Sequence, residues 1–168
     1  TTTPWTIPSN AAVCIHEEIE YVLVKGGNAN FIIAKDLMDE CSERWDLELE
    51  ILGSAFGKDI KNISMKHPLY KRESKLLHGD HVTTESGTGC VHTAPAHGLD
   101  DYFICIKHGL ESVKALDNRG LFREEYGPLS GLSTKKGDPI VIELLEKNEA
   151  LLASKAYDHS YPHCWRHK

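Results

Sequence analysis

The sequence predicts an α+β fold. Strand-like stretches are short and numerous, and helical signals are few and widely spaced. The two kinds do not alternate as regular βαβ units, so a doubly wound parallel sheet is not expected. The 168 residues fit one domain with a real core. Hydrophobic content of 40% and charged content of 26% are ordinary for a globular chain.

Residues 11–25 alternate apolar and polar around Glu17-Glu18 and read as a hairpin. Gly26-Gly27-Asn28 is a turn, and 31–34 a strand. Residues 36–45 read as a helix with Asp36 as N-cap, and 48–52 as a strand ended by Gly53. Pro68 keeps 62–70 extended. Residues 80–84 and 89–93 read as a strand pair around Glu85-Ser86-Gly87. A helix over 99–107 stops at Gly109, with Leu99, Tyr102, Phe103 and Ile106 spaced as one buried face. Residues 119–132 read as irregular. Asp138-Pro139 opens a helix running to about Lys147, and 151–157 returns as a strand.

Two segments stand out. Thr1-Thr2-Thr3-Pro4-Trp5-Thr6-Ile7-Pro8-Ser9-Asn10 combines hydroxyls, two prolines and a rigid indole. By itself it reads as a rigid surface loop. Gly87-Thr88-Gly89-Cys90-Val91-His92-Thr93-Ala94-Pro95-Ala96-His97-Gly98-Leu99-Asp100-Asp101-Tyr102 joins a glycine-broken strand end, two imidazoles and a helix start with two carboxylates. Small-molecule sites are often built this way. A carboxylate in a first helical turn is favoured by the helix dipole, and Asp101 is the strongest single candidate there. Helix-end electrostatics alone would account for one of the two acids. His92, on a strand, reads either as a hydrogen-bonded core histidine or as a site residue.

Together the two segments resemble the editing domain of isoleucyl-tRNA synthetases, and the resemblance runs to the closing His159-Ser160-Tyr161-Pro162-His163-Cys164-Trp165-Arg166-His167-Lys168. Thr3, Trp5 and His92 mark the isoleucyl branch. The valyl and leucyl branches usually carry Arg and an acid at the first two positions and lack the histidine. Ala96 departs from the glycine of the family pattern.

The resemblance implies a closed β-barrel core decorated by short helices, and one domain spanning 1–168 of a larger synthetase. The first residue is a motif residue and no terminal element closes the chain, so both ends read as cut. It also implies hydrolysis of mischarged Val-tRNA(Ile) by a pocket that admits valine and excludes isoleucine. Asp101 would hold the α-ammonium group. Thr2 and Thr3 would contact the ester region and terminal adenosine. His92 would limit side-chain size, with Trp5, Asn10, Thr1 and Gly89 completing the substrate contacts. The implied partners are the 3′ aminoacyl-adenosine end of tRNA(Ile), the valine moiety, and the catalytic and tRNA-binding domains of the parent enzyme. The isolated domain would be a monomer without a cofactor.

A net charge of −6 argues against strong autonomous nucleic-acid binding. Lys66, Lys71, Arg72 and Lys75 form a basic run that reads as a solvated face or, less simply, a phosphate contact. The five scattered cysteines suit a reducing, cytoplasmic setting. No apolar run approaches membrane-spanning length and no signal peptide is evident. His159, His163, Cys164 and His167 have transition-metal spacing, and a metal-stabilised RNA-binding module is the rival reading. Pro162 breaks the helix that would align those ligands, which favours a connector and no metal. Nucleotide-binding glycine motifs and GxSxG are absent, as are the synthetic signatures of class I synthetases.

Overall fold

The computed structural model describes residues 1–155. The expected strand over 151–157 is absent from its described part, 151–155, and the C-terminal His/Cys array lies outside the described residues.

Two sheets make up the frame. In the first, strands β1 (Ala12–Ile15), β5 (Ser64–Lys66), β6 (Glu73–His78) and β7 (Val91–Thr93) lie in the order β5-β6-β1-β7. Here β1 and β6 are parallel, and the other pairs are antiparallel. The second is an antiparallel sheet of β2 (Glu20–Gly26), β3 (Ala29–Ala34) and β4 (Leu49–Phe56), in the order β3-β2-β4. Among the described residues the α-helices are α1 (Met38–Trp45), α2 (Leu99–Lys107) and α3 (Thr134–Lys147). The α+β class therefore holds.

The closed barrel does not. No ladder joins the two sheets among the described residues. Strands β5 and β7 are three residues each, too short to carry pairing onward from the edges of the first sheet. The sheets meet instead through the side chains of Ile15, Val22, Val24 and Ile33, and through a backbone bond from Ala34 N to Thr88 O (2.8 Å).

The expected hairpin over 11–25 is also corrected. β1 pairs with β6 and β7, while β2 pairs with β3 and β4, so the chain crosses between sheets at Glu17-Glu18. Gly27, at φ +57°, turns β2 into β3 as expected. β4 runs through Gly53 rather than ending there. Residues 80–84 form no strand, and β7 pairs instead with β1, whose other neighbour is β6.

α1 begins after a 3-10 turn over Lys35–Leu37, and Asp36 makes no capping bond there. α3 starts one turn before Asp138-Pro139, at Thr134. Pro139 falls within the helix, where Asp138 serves another purpose described below.

α2 has the expected bounds and the opposite buried face. Leu99 (77% exposed), Phe103 (65%), Ile106 and Tyr102 face outward. Cys105 and Ile104 pack instead on Ala12, Cys14, Leu77 and Val82. Asp101 lies on that inward side, at i−3 and i−4 from this pair. Among the described residues, no helix is long and apolar enough to cross a membrane.

Candidate functional site

The threonine-rich segment folds as a 3-10 helix over Pro4–Ser9, with Pro4 at its first turn. Three distant groups fix it. His67, buried, donates from Nε2 to Ile7 O (2.9 Å) and accepts Leu69 N–H and Tyr70 N–H on Nδ1. Burial lowers its pKa to about 4. Arg72 donates through Nη2 to Pro8 O and to Asn10 O (3.1 Å). Asp138 Oδ1 accepts Trp5 N–H at 2.8 Å. Arg72 thus braces the threonine segment and does not stand free on a solvated face. Sequence reasoning did not single out His67 or Asp138 for this role. Their partners are backbone atoms of a remote segment, and no local spacing encodes such a bond.

Asn10 and His92 form the centre of the site. Asn10 Nδ2 donates to Ala12 O (2.8 Å) and to His92 Nδ1 (2.9 Å), which spends both amide hydrogens. Thr6 Oγ1 donates to Thr3 O (2.8 Å) and therefore accepts from His92 Nε2–H (3.0 Å). These bonds require a neutral imidazole protonated on Nε2. Burial lowers the His92 pKa to about 4, with His67 and His97 nearby acting in the same direction.

One face of the first sheet looks onto a cavity of 510 Å³, a volume ordinary for a small-molecule site. Val13 stands in register with His92 on one side and Leu76 on the other, and Ser74 shares the face two residues along β6. Asn10, Val13, Ser74 and His92 form the floor. Thr1, Thr2 and Pro4 form one wall, and Ile142 and Leu145 of α3 close the far side. Among the described residues, Lys66 and Lys155 are the charged side chains in the lining, and none is a carboxylate.

No family model matches the chain. Isoleucine–tRNA ligases of Legionella pneumophila (strain Paris) and Nitrosomonas europaea are each 44% identical to it along its whole length, and that of Desulfovibrio desulfuricans is 45% identical. The chain matches one part of the isoleucine–tRNA ligases along its whole length. It spans 18% of the length of these relatives. Among solved structures, GlLeuRS-CP1 superposes with a TM-score of 0.69 at 16% identity, covering 89% of this chain and 79% of that one. The editing domain of the P. knowlesi cytosolic leucyl-tRNA synthetase gives 0.65 at 11% identity, covering 89% and 80%. The chain therefore carries the fold of the leucyl editing domains.

The structure brings Thr1, Thr2, Asn10 and His92 together around the cavity and leaves Thr3, Trp5, Gly89 and Asp101 outside its lining. Thr3 is tied to Thr1, with 3.1 Å between their hydroxyls. Trp5 packs edge-on against His97, with ring centroids 4.7 Å apart. Gly89, at φ +71°, is a packing residue. A Cβ there would lie 2.4 Å from that of Ala34, and its carbonyl accepts the Tyr21 hydroxyl at 2.8 Å. Asp101 Oδ2 accepts Ala94 N–H at 2.7 Å, which anchors the strand end two residues beyond His92.

A serine–histidine pair is also present. His97 Nε2 lies 2.9 Å from Ser9 Oγ. Ser9 is fully buried and accepts Ala115 N–H, so it braces the loop and is not placed to attack a substrate. Among the described residues, no group of three or more His, Cys, Asp or Glu side chains is arranged to hold a metal ion.

Proposed function

We propose that this chain hydrolyses the ester of valine wrongly attached to tRNA(Ile), as the post-transfer editing unit of a larger isoleucine–tRNA ligase. The observation that carries the reading is the convergence of Thr1, Thr2, Asn10 and His92 on one cavity in a chain that matches these ligases. One methylene is worth only about 1–3 kcal/mol of discrimination in an apolar pocket, a general limit whose standard example is isoleucine against valine in these ligases. A second cavity that fits valine and clashes with isoleucine supplies the rest.

His92 serves this scheme as a fixed wall. Both ring nitrogens are already engaged, so it is not a general base. The threonines face the ester region, and Asp101, which lies outside the cavity lining with its Oδ2 on Ala94 N–H, takes the α-ammonium group with its other oxygen. The tRNA presents only its 3′ end, since a chain of net charge −6 has little long-range attraction for a polyanion. Other domains hold the rest at high effective concentration. The chain acts as a monomer in the cytoplasm and needs no cofactor.

Single-turnover deacylation tests the reading. Val-tRNA(Ile) is expected to be cleaved and Ile-tRNA(Ile) spared, and His92→Ala to let the isoleucyl ester be attacked. Equal sparing of both esters by the parent chain overturns the proposal. Loss of valyl cleavage in His92→Ala, without gain of isoleucyl cleavage, assigns His92 a chemical role instead.

A further inference from the structure

Two residues of the cavity floor each carry a buried polar atom that has no hydrogen-bond partner among the described residues. Asn10 is 5% exposed, and with both Nδ2 hydrogens spent its Oδ1 stands alone. Ser74 is 3% exposed, and its Oγ is likewise unpartnered. The parallel pairing of β1 and β6, in which Lys75 N donates to Ala11 O, sets Ser74 level with Ala11, the residue after Asn10, and both Ser74 and Asn10 line the cavity. Buried polar atoms left unmet are costly, and a polar, roomy cavity is where an ordered water settles.

We propose that Ser74 and Asn10 hold the attacking water. The inference rests on the editing reading above. The valyl side chain and the ester oxygens carry no hydrogen to give Asn10 Oδ1, and the α-ammonium group is assigned to Asp101. A metal cation is disfavoured by a lining whose described residues include lysines and no carboxylate. A water donates one hydrogen to Asn10 Oδ1 and the other to Ser74 Oγ, which leaves a lone pair for the ester carbonyl. Its oxygen bonds to that carbon, and the bond from carbon to the ribose oxygen breaks. One water proton passes to the departing ribose oxygen, giving valine and a free ribose hydroxyl. Because His92 offers no lone pair, orientation by neutral groups is the contribution the cavity floor supplies.

Single-turnover hydrolysis of Val-tRNA(Ile) by the parent chain and by Ser74→Ala is the test. It is paired with binding of a non-hydrolysable valyl-amide analogue of the aminoacyl-adenosine, and with the partition of the acyl group between water and added hydroxylamine. S74A is expected to slow hydrolysis about tenfold or more, to leave analogue affinity within about twofold, and to shift the partition toward the hydroxamate. Ser74→Thr, which keeps the hydroxyl, is expected to restore most of the rate. A loss of affinity matching the loss of rate assigns Ser74 to the substrate and overturns the proposal. So does an unchanged rate and partition. If S74A does not fold, the proposal stands or falls on S74T: a rate near the parent's supports it, and a loss as large as tenfold in a folded S74T refutes it. Failure of the parent chain to hydrolyse the ester is a failure of the editing reading itself.

Discussion

Asn10 Nδ2 lies 2.9 Å from His92 Nδ1, and this contact decides what the imidazole is able to do. The amide is the donor, because its other hydrogen goes to Ala12 O. His92 therefore presents an occupied lone pair on one nitrogen and an engaged N–H on the other. A histidine at the centre of a proposed hydrolytic site is thereby excluded from base chemistry by its neighbours.

The enzymatic rate should accordingly show no ionisation assignable to His92 between pH 5 and 8. Its pKa of about 4 places the neutral form in command throughout that range. The measurement is kcat/KM for Val-tRNA(Ile) against pH, with the uncatalysed ester rate subtracted. An acid limb near pH 6.5 that disappears in His92→Ala refutes the tautomer assignment.

Arg72→Lys is expected to lower deacylation by about tenfold or more while the fold persists. The guanidinium reaches Pro8 O and Asn10 O from one nitrogen, and an ammonium does not reproduce that planar geometry. Charged hydrogen bonds of this kind are worth about 1.5–3 kcal/mol. Thermal unfolding and the deacylation rate, taken together, check it. Full activity with an unchanged melting temperature shows that the threonine segment needs no such clamp.

Asp101 has two roles that a pair of substitutions separates. Asp101→Asn keeps an oxygen for Ala94 N–H and removes the charge, whereas Asp101→Ala removes both. If the carboxylate binds the α-ammonium group, both variants lose most activity, and only the alanine also loses stability, by about 1–3 kcal/mol. Deacylation by Asp101→Asn at the parent rate confines Asp101 to holding the strand end.

The limits of the sequence are visible in α2. Its bounds follow from Gly98, the apolar run and Gly109, and the structure keeps them. Periodicity points its larger apolar side chains at the core, yet Cys105 and Ile104 are the ones that pack there and Leu99, Phe103 and Ile106 are exposed. The same gap appears at residues 11–25, where alternation is a property of each strand and carries no information about its partner. Pro139 suggested a helix start one turn too late, since a cap followed by proline is a local rule and Asp138 is engaged by Trp5 far along the chain. Within the site, Asn10 and His92 were legible as residue types in motifs. Their mutual hydrogen bond, and the unpartnered Ser74 beside them, arise only from the pairing of β1 with β6 and β7.

Gly89→Ala is expected to destabilise the chain severely, by more than about 3 kcal/mol. The residue sits at φ +71°, and an added Cβ meets that of Ala34 at 2.4 Å. Neighbouring Gly87, at φ +87°, has open space around its own added Cβ, so Gly87→Ala incurs only the backbone term of about 1–2 kcal/mol. Chemical denaturation of the two variants side by side measures the difference. Equal destabilisation shows that backbone strain, and not the contact with Ala34, sets the requirement at Gly89.

The buried histidines also predict acid lability. His67 and His92 both have pKa values lowered from 6.5 to about 4 by burial. Between those values the unfolded chain binds protons that the folded chain refuses, so the unfolding free energy rises with pH through this window. Each histidine adds a slope of up to about 1.4 kcal/mol per pH unit, and the loss on acidification is complete below about pH 4. Denaturant midpoints from pH 4 to 7 are expected to fall steeply below pH 6.5. Replacing His67 by glutamine removes its share of the slope. An amide supplies one donor for Ile7 O but does not reproduce the two acceptor contacts to Leu69 N and Tyr70 N with the same geometry, so the variant is less stable at pH 7. Its stability curve should therefore be lower and flatter than the parent's, and the two should converge toward pH 4. Parallel curves across the whole range show that His67 does not titrate differently in the two states.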